Sequence, residues 1–165
     1  MKGMKKQVII MLILLVIFTV VKSQEINKQG NFYISLNIVK FFMGMPNLEL
    51  EYSISGKVSV YLFSEVNLFS KRLKERGHPD LVFRTGGRYH FLKSTDTRND
   101  LHIGPYTGFT RTKGITENQY FLGTDLGYRY RFSDSYYLYP RALITYTFGD
   151  WQLMPGAELL LGKVF

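Results

Sequence analysis

Hydrophobic and polar residues alternate one for one along most of this chain. In 119-QYFLGTDLGYRYRF-132, the even positions hold Tyr120, Leu122, Thr124, Leu126, Tyr128, Tyr130 and Phe132, while Asp125, Arg129 and Arg131 occupy odd ones. A period of two is that of a β-strand with two unlike faces. Eight such stretches lie near 31–42, 46–55, 58–70, 81–92, 100–111, 119–132, 136–148 and 151–165. Between them stand turn formers such as Ser55-Gly56-Lys57, Gly77-His78-Pro79-Asp80, Ser133-Asp134-Ser135 and Gly149-Asp150. Beyond residue 24 no stretch has a 3.6-residue apolar period. The pattern predicts an all-β chain.

The two faces differ in a way that decides which is inside. One is apolar, running through Leu48, Leu50, Tyr52, Val58, Val60, Leu62, Leu122, Leu126, Ile144 and Leu161. Its aromatics gather at strand ends. Tyr52, Tyr89, Phe91, Tyr128, Tyr130, Phe132, Tyr136 and Phe165 would form one belt, and Phe83, Phe109, Tyr120, Tyr146, Phe148 and Trp151 the other. Paired belts of this kind are selected by the two interfaces of a bilayer. The other face carries Glu49, Glu51, Glu65, Asp125 and Glu158 against Arg84, Arg88, Arg129, Arg131 and Arg141. Every base in that set is arginine. Its planar, weakly hydrated fork suits enclosed ion pairs, and a solvated face would have no reason to exclude lysine. The charged side is therefore expected inside as an ion-pair network, with the apolar side toward lipid. The expected fold is an eight-stranded antiparallel up-and-down transmembrane β-barrel, because closure removes the strand edges that lipid penalises.

The N-terminus has the form of a secretory signal: basic 1-MKGMKK-6, the apolar run 8-VIIMLILLVIFTVV-21, and Ser23 before the cut. As a helix that run spans about 21 Å, short of a bilayer core. The expected division is a signal at 1–23 and a barrel domain at 24–165. Loss of Lys2, Lys5, Lys6 and Lys22 lowers the formal charge from +8 to +4. An exported chain of that modest charge has no expected nucleic-acid partner. With no cysteine, disulfides and thiolate chemistry are excluded.

Signal, eight alternating strands, charged interior and terminal phenylalanine together resemble the small outer-membrane barrels of the OmpX and OmpA-transmembrane type, in a short form like those of Bacteroidetes. The ending 156-GAELLLGKVF-165 is similar to that family's C-terminal assembly signal at Gly156, Leu159, Leu161 and Phe165, while Lys163 departs from it. The resemblance implies location in the bacterial outer membrane, with lipid and the barrel insertion machinery as partners.

Other chemistry is sparse. His90 and His102 flank the turn between the fourth and fifth strands and would face each other, a weak metal candidate lacking a third ligand. The loop bases Lys71, Arg72, Lys74 and Arg76 could meet lipopolysaccharide phosphates. No nucleophile accompanies a base, so no enzyme activity and no cofactor are expected. A structural or surface-interaction barrel, or a small subunit of an envelope assembly, is the leading expectation; a narrow or gated channel lined by glycines is the alternative, and a lipid-modifying outer-membrane enzyme ranks after it. Pro105, Pro140 and Pro155 fall within strands, where bulges or local twists are expected.

Overall fold

The computed structural model describes residues 32–68, 79–91, 99–112, 118–149 and 152–165. The barrel unit comprises residues 31–164. The expected signal and its cleavage point lie outside the described residues. Eight strands follow in order: β1 (Phe32–Asn37), β2 (Asn47–Ser53), β3 (Val58–Val66), β4 (Leu81–His90), β5 (Asn99–Arg111), β6 (Gln119–Arg131), β7 (Tyr136–Thr147) and β8 (Gln152–Val164). Each pairs antiparallel with its neighbours in sequence, and β8 returns to β1 to close the barrel.

Alternation in the sequence becomes inside and outside in the wall. In β3, Ser59, Tyr61, Phe63 and Glu65 are buried, while Val58, Val60, Leu62 and Val66 are exposed. In β6, Asp125 is 0% exposed and its neighbour Leu126 is 48% exposed. An apolar exterior around a charged interior is the reverse of a water-soluble barrel. The outward aromatics meet in pairs at both ends. Tyr89 packs edge-on to Phe91 at 5.2 Å and Phe132 stacks on Tyr136 at 6.5 Å; at the other end Phe83 stacks on Phe109 at 5.7 Å and Tyr146 meets Phe148 at 5.7 Å.

One expected strand is half helix. The first stretch leaves the wall after Asn37 and forms α1 (Ile38–Phe42). Asn37 caps it, its Oδ1 accepting from the Lys40 amide at 3.1 Å, and the Asn37 amide donates to Asn47 Oδ1 at 2.6 Å. Gly44, at φ 84°, ends the helix in the left-handed conformation that glycine adopts without penalty, and Pro46 follows. The turn leaves β1 short. Its last pair with β8 is Asn37↔Leu160, so the outer half of β8 is paired only to β7 and lies beside α1.

The prolines insert no bulge. Pairing of β4 with β5 stops after Gly86↔Tyr106 and resumes at Tyr89↔Ile103 in the same register. The pairing of β6 with β7 likewise stops after Gly127↔Arg141 and resumes at Tyr130↔Leu138. Pro105 and Pro140 sit in these gaps, each still in register with its other neighbour, Thr124 or Leu159. Pro155 pairs with Ile144 and lies beyond the end of β1. In all three places the missing N–H falls where no ladder bond is formed, which corrects the expectation of bulges.

Inward glycines accommodate aromatic rings. Tyr137 lies in register with Gly162 and Tyr106 with Gly123, and a Cβ built on either glycine would collide with the facing ring. The lumen is packed there, with the rings lying where glycine side chains would be. Gly162→Val should therefore destabilise the barrel by about 1–3 kcal/mol through overpacking. Gly56→Val, at a turn with no atom within 4 Å of the added Cβ, should stay within about 0.5 kcal/mol. Urea midpoints of the detergent-folded barrel compare the two.

Candidate functional site

The most concentrated chemistry lies in the lumen. Arg88, near the end of β4 and fully buried, reaches carboxylates from two other strands. Its Nη1 donates to Glu49 Oε1 at 2.9 Å and also to Glu51, while Nη2 donates to Asp125 Oδ2 at 2.9 Å and Nε to the same oxygen at 3.1 Å. Its guanidinium lies 3.7 Å from the centre of the Tyr61 ring. Nη2 also donates to Glu49 Oε2 at 3.2 Å, so all five donors of the fork are used, with the aromatic face supplying cation–π attraction.

Neighbouring arginines extend the network in both directions. Arg141 bonds Glu158 through Nε at 2.7 Å and also bonds Glu49. Glu158 further accepts from Arg84 Nη2 at 2.9 Å, whose guanidinium lies over Phe63 at 3.9 Å. Toward the opposite end, Arg129 Nη2 donates to Glu51 Oε2 at 2.7 Å and its guanidinium stands 4.4 Å above Tyr33. Alternation in the strands puts all these side chains on one face; closure brings together partners as distant in sequence as Glu49 and Arg141.

Two charged members were missing from the sequence reading. Lys40, on α1, sends Nζ to Glu65 Oε2 at 2.8 Å and Glu158 Oε1 at 3.0 Å. Its ammonium shows that arginine does not have exclusive use of this lumen. The signal available was Asn37 as a cap with Gly44 as a terminator, which turns Lys40 out of the strand pattern. Asp100, the second residue of β5, is buried and accepts from His90 and, at 3.5 Å, from Arg129. Arg131, expected in the network, makes no ion pair among the described residues. It ends β6 opposite Tyr137 and is half-buried at the strand end.

Of the remaining candidates, His90 and His102 are direct cross-strand partners with ring centres 5.3 Å apart. Gly156, Leu159 and Leu161 all lie in β8 and Phe165 follows it; Gly156 and Leu161 are exposed. Lys71, Arg72, Lys74, Arg76 and His78 lie outside the described residues, as does Trp151. Ser59 Oγ lies 2.8 Å from His90 Nε2, and His90 Nδ1 lies 2.7 Å from Asp100 Oδ2, but Ser59 is fully buried and its hydroxyl donates to Glu51 Oε1 at 2.9 Å.

Arg88→Ala would leave Glu49, Glu51 and Asp125 buried around a lost cation, and should destabilise the barrel by about 3–5 kcal/mol. Arg88→Ala with Asp125→Ala should recover part of that loss, since one stranded charge is gone. A double-mutant cycle on unfolding free energies in detergent measures the recovery.

No family model and no curated protein matches the chain. Among solved structures, the N-terminal β-barrel domain of OprF from Pseudomonas aeruginosa is similar, with a TM-score of 0.56 and 13% sequence identity over 83% of this chain and 98% of that one. The likeness is one of fold: this chain is an eight-stranded antiparallel barrel resembling a known outer-membrane barrel.

Proposed function

We propose that this protein is a non-enzymatic integral barrel of the bacterial outer membrane, acting as a structural or surface-interaction protein or as a small subunit of an envelope assembly. The observation that carries the reading is the inverted distribution of polarity. Leu62, Leu122, Leu126 and Ile144 face outward across the middle of the wall, while Glu49, Glu51, Arg88, Asp125 and Arg141 are buried within it. A soluble barrel would aggregate through that exterior, whereas hydrocarbon solvates it. The barrel fold shared with the OprF domain supports the same location.

The packed lumen argues against a diffusion pore. An eight-stranded barrel has an interior that side chains can fill, and here Arg88 is flanked by Tyr61 at 3.7 Å and Tyr139 at 5.4 Å. Of the glycines read as a channel lining, Gly86, Gly108, Gly123, Gly127 and Gly162 face Tyr or Phe rings, while Gly104 meets backbone and Gly156 meets Leu143. We assign Gly156, Leu159, Leu161 and Phe165 to recognition by the insertion machinery, and the loop bases Lys71, Arg72, Lys74 and Arg76 to contact with lipopolysaccharide phosphates. Both assignments rest on the sequence. The likeness to the OmpX type and to short Bacteroidetes barrels has the same basis.

The full chain should fractionate with outer membranes and migrate heat-dependently in detergent gels. Leu126→Arg, at a lipid-facing position near the middle of β6, should lower barrel stability in bilayers by about 2–4 kcal/mol. Recovery as a soluble monomer, or a stability unaffected by Leu126→Arg, would overturn the membrane reading. Steady unitary conductance in planar bilayers would replace the structural role with that of a channel. Deletion of Phe165 should reduce the folded fraction in cells, measured by the same gel shift.

A further inference from the structure

We propose that His90, Asp100 and His102 form a binding site for a divalent transition-metal ion, Zn2+ being the best match to two imidazoles and a carboxylate. The three residues are all buried, and each offers a donor atom within 4.8 Å of the others'. The sequence supplied two histidines without a third ligand; folding of β5 against β4 adds Asp100.

Unpartnered atoms point to a ligand. His102 Nδ1 and Asp100 Oδ1 are both buried and have no hydrogen bond. An unsatisfied buried acceptor is costly in a packed interior, and a bound cation would satisfy it. The opposite nitrogens are held as those of metal-binding histidines are. His102 Nε2 lies 2.5 Å from the Tyr139 hydroxyl, and His90 Nε2 lies 2.8 Å from Ser59 Oγ and 3.6 Å from Glu51 Oε1. Such outer partners orient the rings; His102 Nδ1 is free to coordinate, while His90 Nδ1 first gives up its contact with Asp100.

Charge permits an added cation. Among the described residues the lumen buries six carboxylates (Glu49, Glu51, Glu65, Asp100, Asp125 and Glu158), against Arg84, Arg88, Arg129, Arg141 and the Lys40 ammonium. One negative charge is in excess when both imidazoles are neutral. The adverse neighbours are Arg88 and Arg129; Arg88 is already engaged by Glu49, Glu51 and Asp125, and Arg129, whose Nη1 is 3.5 Å from Asp100 Oδ2, has its Nη2 bonded to Glu51. Binding opens the 2.7 Å contact between His90 Nδ1 and Asp100 Oδ2, and the proton shared there leaves to solvent. Three protein donors leave a fourth, tetrahedral position for water.

Full-length chain purified in detergent without a histidine tag should bind one Zn2+ per chain with micromolar or tighter affinity, measured by equilibrium dialysis and titration calorimetry. His102→Ala and Asp100→Asn should each weaken binding by about tenfold or more, while His78→Ala should leave it unchanged. Co2+ titrated into the unaltered protein should give the intense visible bands of four-coordinate cobalt, which decides the matter even if a variant does not fold. Absence of saturable Zn2+ uptake, equal binding by the His102→Ala variant, or a pale six-coordinate cobalt spectrum would overturn the proposal.

Discussion

The structure depends on Arg88 and the three carboxylates around it. Glu49 and Glu51 stand two residues apart on β2, and Asp125 comes from the far wall on β6. Three buried carboxylates in one place repel each other, and only a cation with several fixed donors can hold them. Glu49 then shares Arg141, Glu51 shares Arg129, and Arg141 leads to Glu158, Arg84 and Lys40. The network crosses the lumen between opposite walls and fills a cross-section that the eight strands define.

Packing follows from that arrangement. The guanidinium planes need flat neighbours, and Tyr33, Tyr61, Phe63 and Tyr139 supply them. Several of the lumen's rings lie where a neighbouring strand has no side chain, as Tyr61 does at Gly86, Tyr139 at Gly127 and Tyr137 at Gly162. Arginine, aromatic ring and glycine are thus one device. The outer face is under a looser constraint, because lipid accepts any aliphatic side chain of suitable size.

The departures from a uniform barrel cluster where β1 ends. Asn37 and Asn47 hold each other through main-chain and side-chain bonds, with Asn47 Nδ2 reaching the Asn37 carbonyl at 3.3 Å. This brace lets the chain leave the wall as α1, from which the Lys40 side chain reaches Glu65 and Glu158. The same turn leaves the outer half of β8 without a strand on that side, where Pro155 sits without removing any ladder bond.

The sequence by itself determined the class of fold, the number of strands and the direction of each face. These depend on a period of two, which needs no knowledge of partners, and on arginine replacing lysine where charge is enclosed. Seven of the eight expected stretches contain strands close to their expected limits; the first ends early because a local cap outcompeted continued alternation. Tertiary structure alone decided which carboxylate meets which arginine, since closure joins residues as far apart as Glu51 and Arg129. It also placed Tyr61, Phe63 and Phe121 inside, where alternation puts them but their apolar character had not suggested it. Lys40 joined the network because a helix capped by Asn37 and ended at Gly44 breaks the alternation, whereas Asp100 lies within the expected fifth stretch on the face of His102 and is marked as a member only by its contacts with His90 and Arg129.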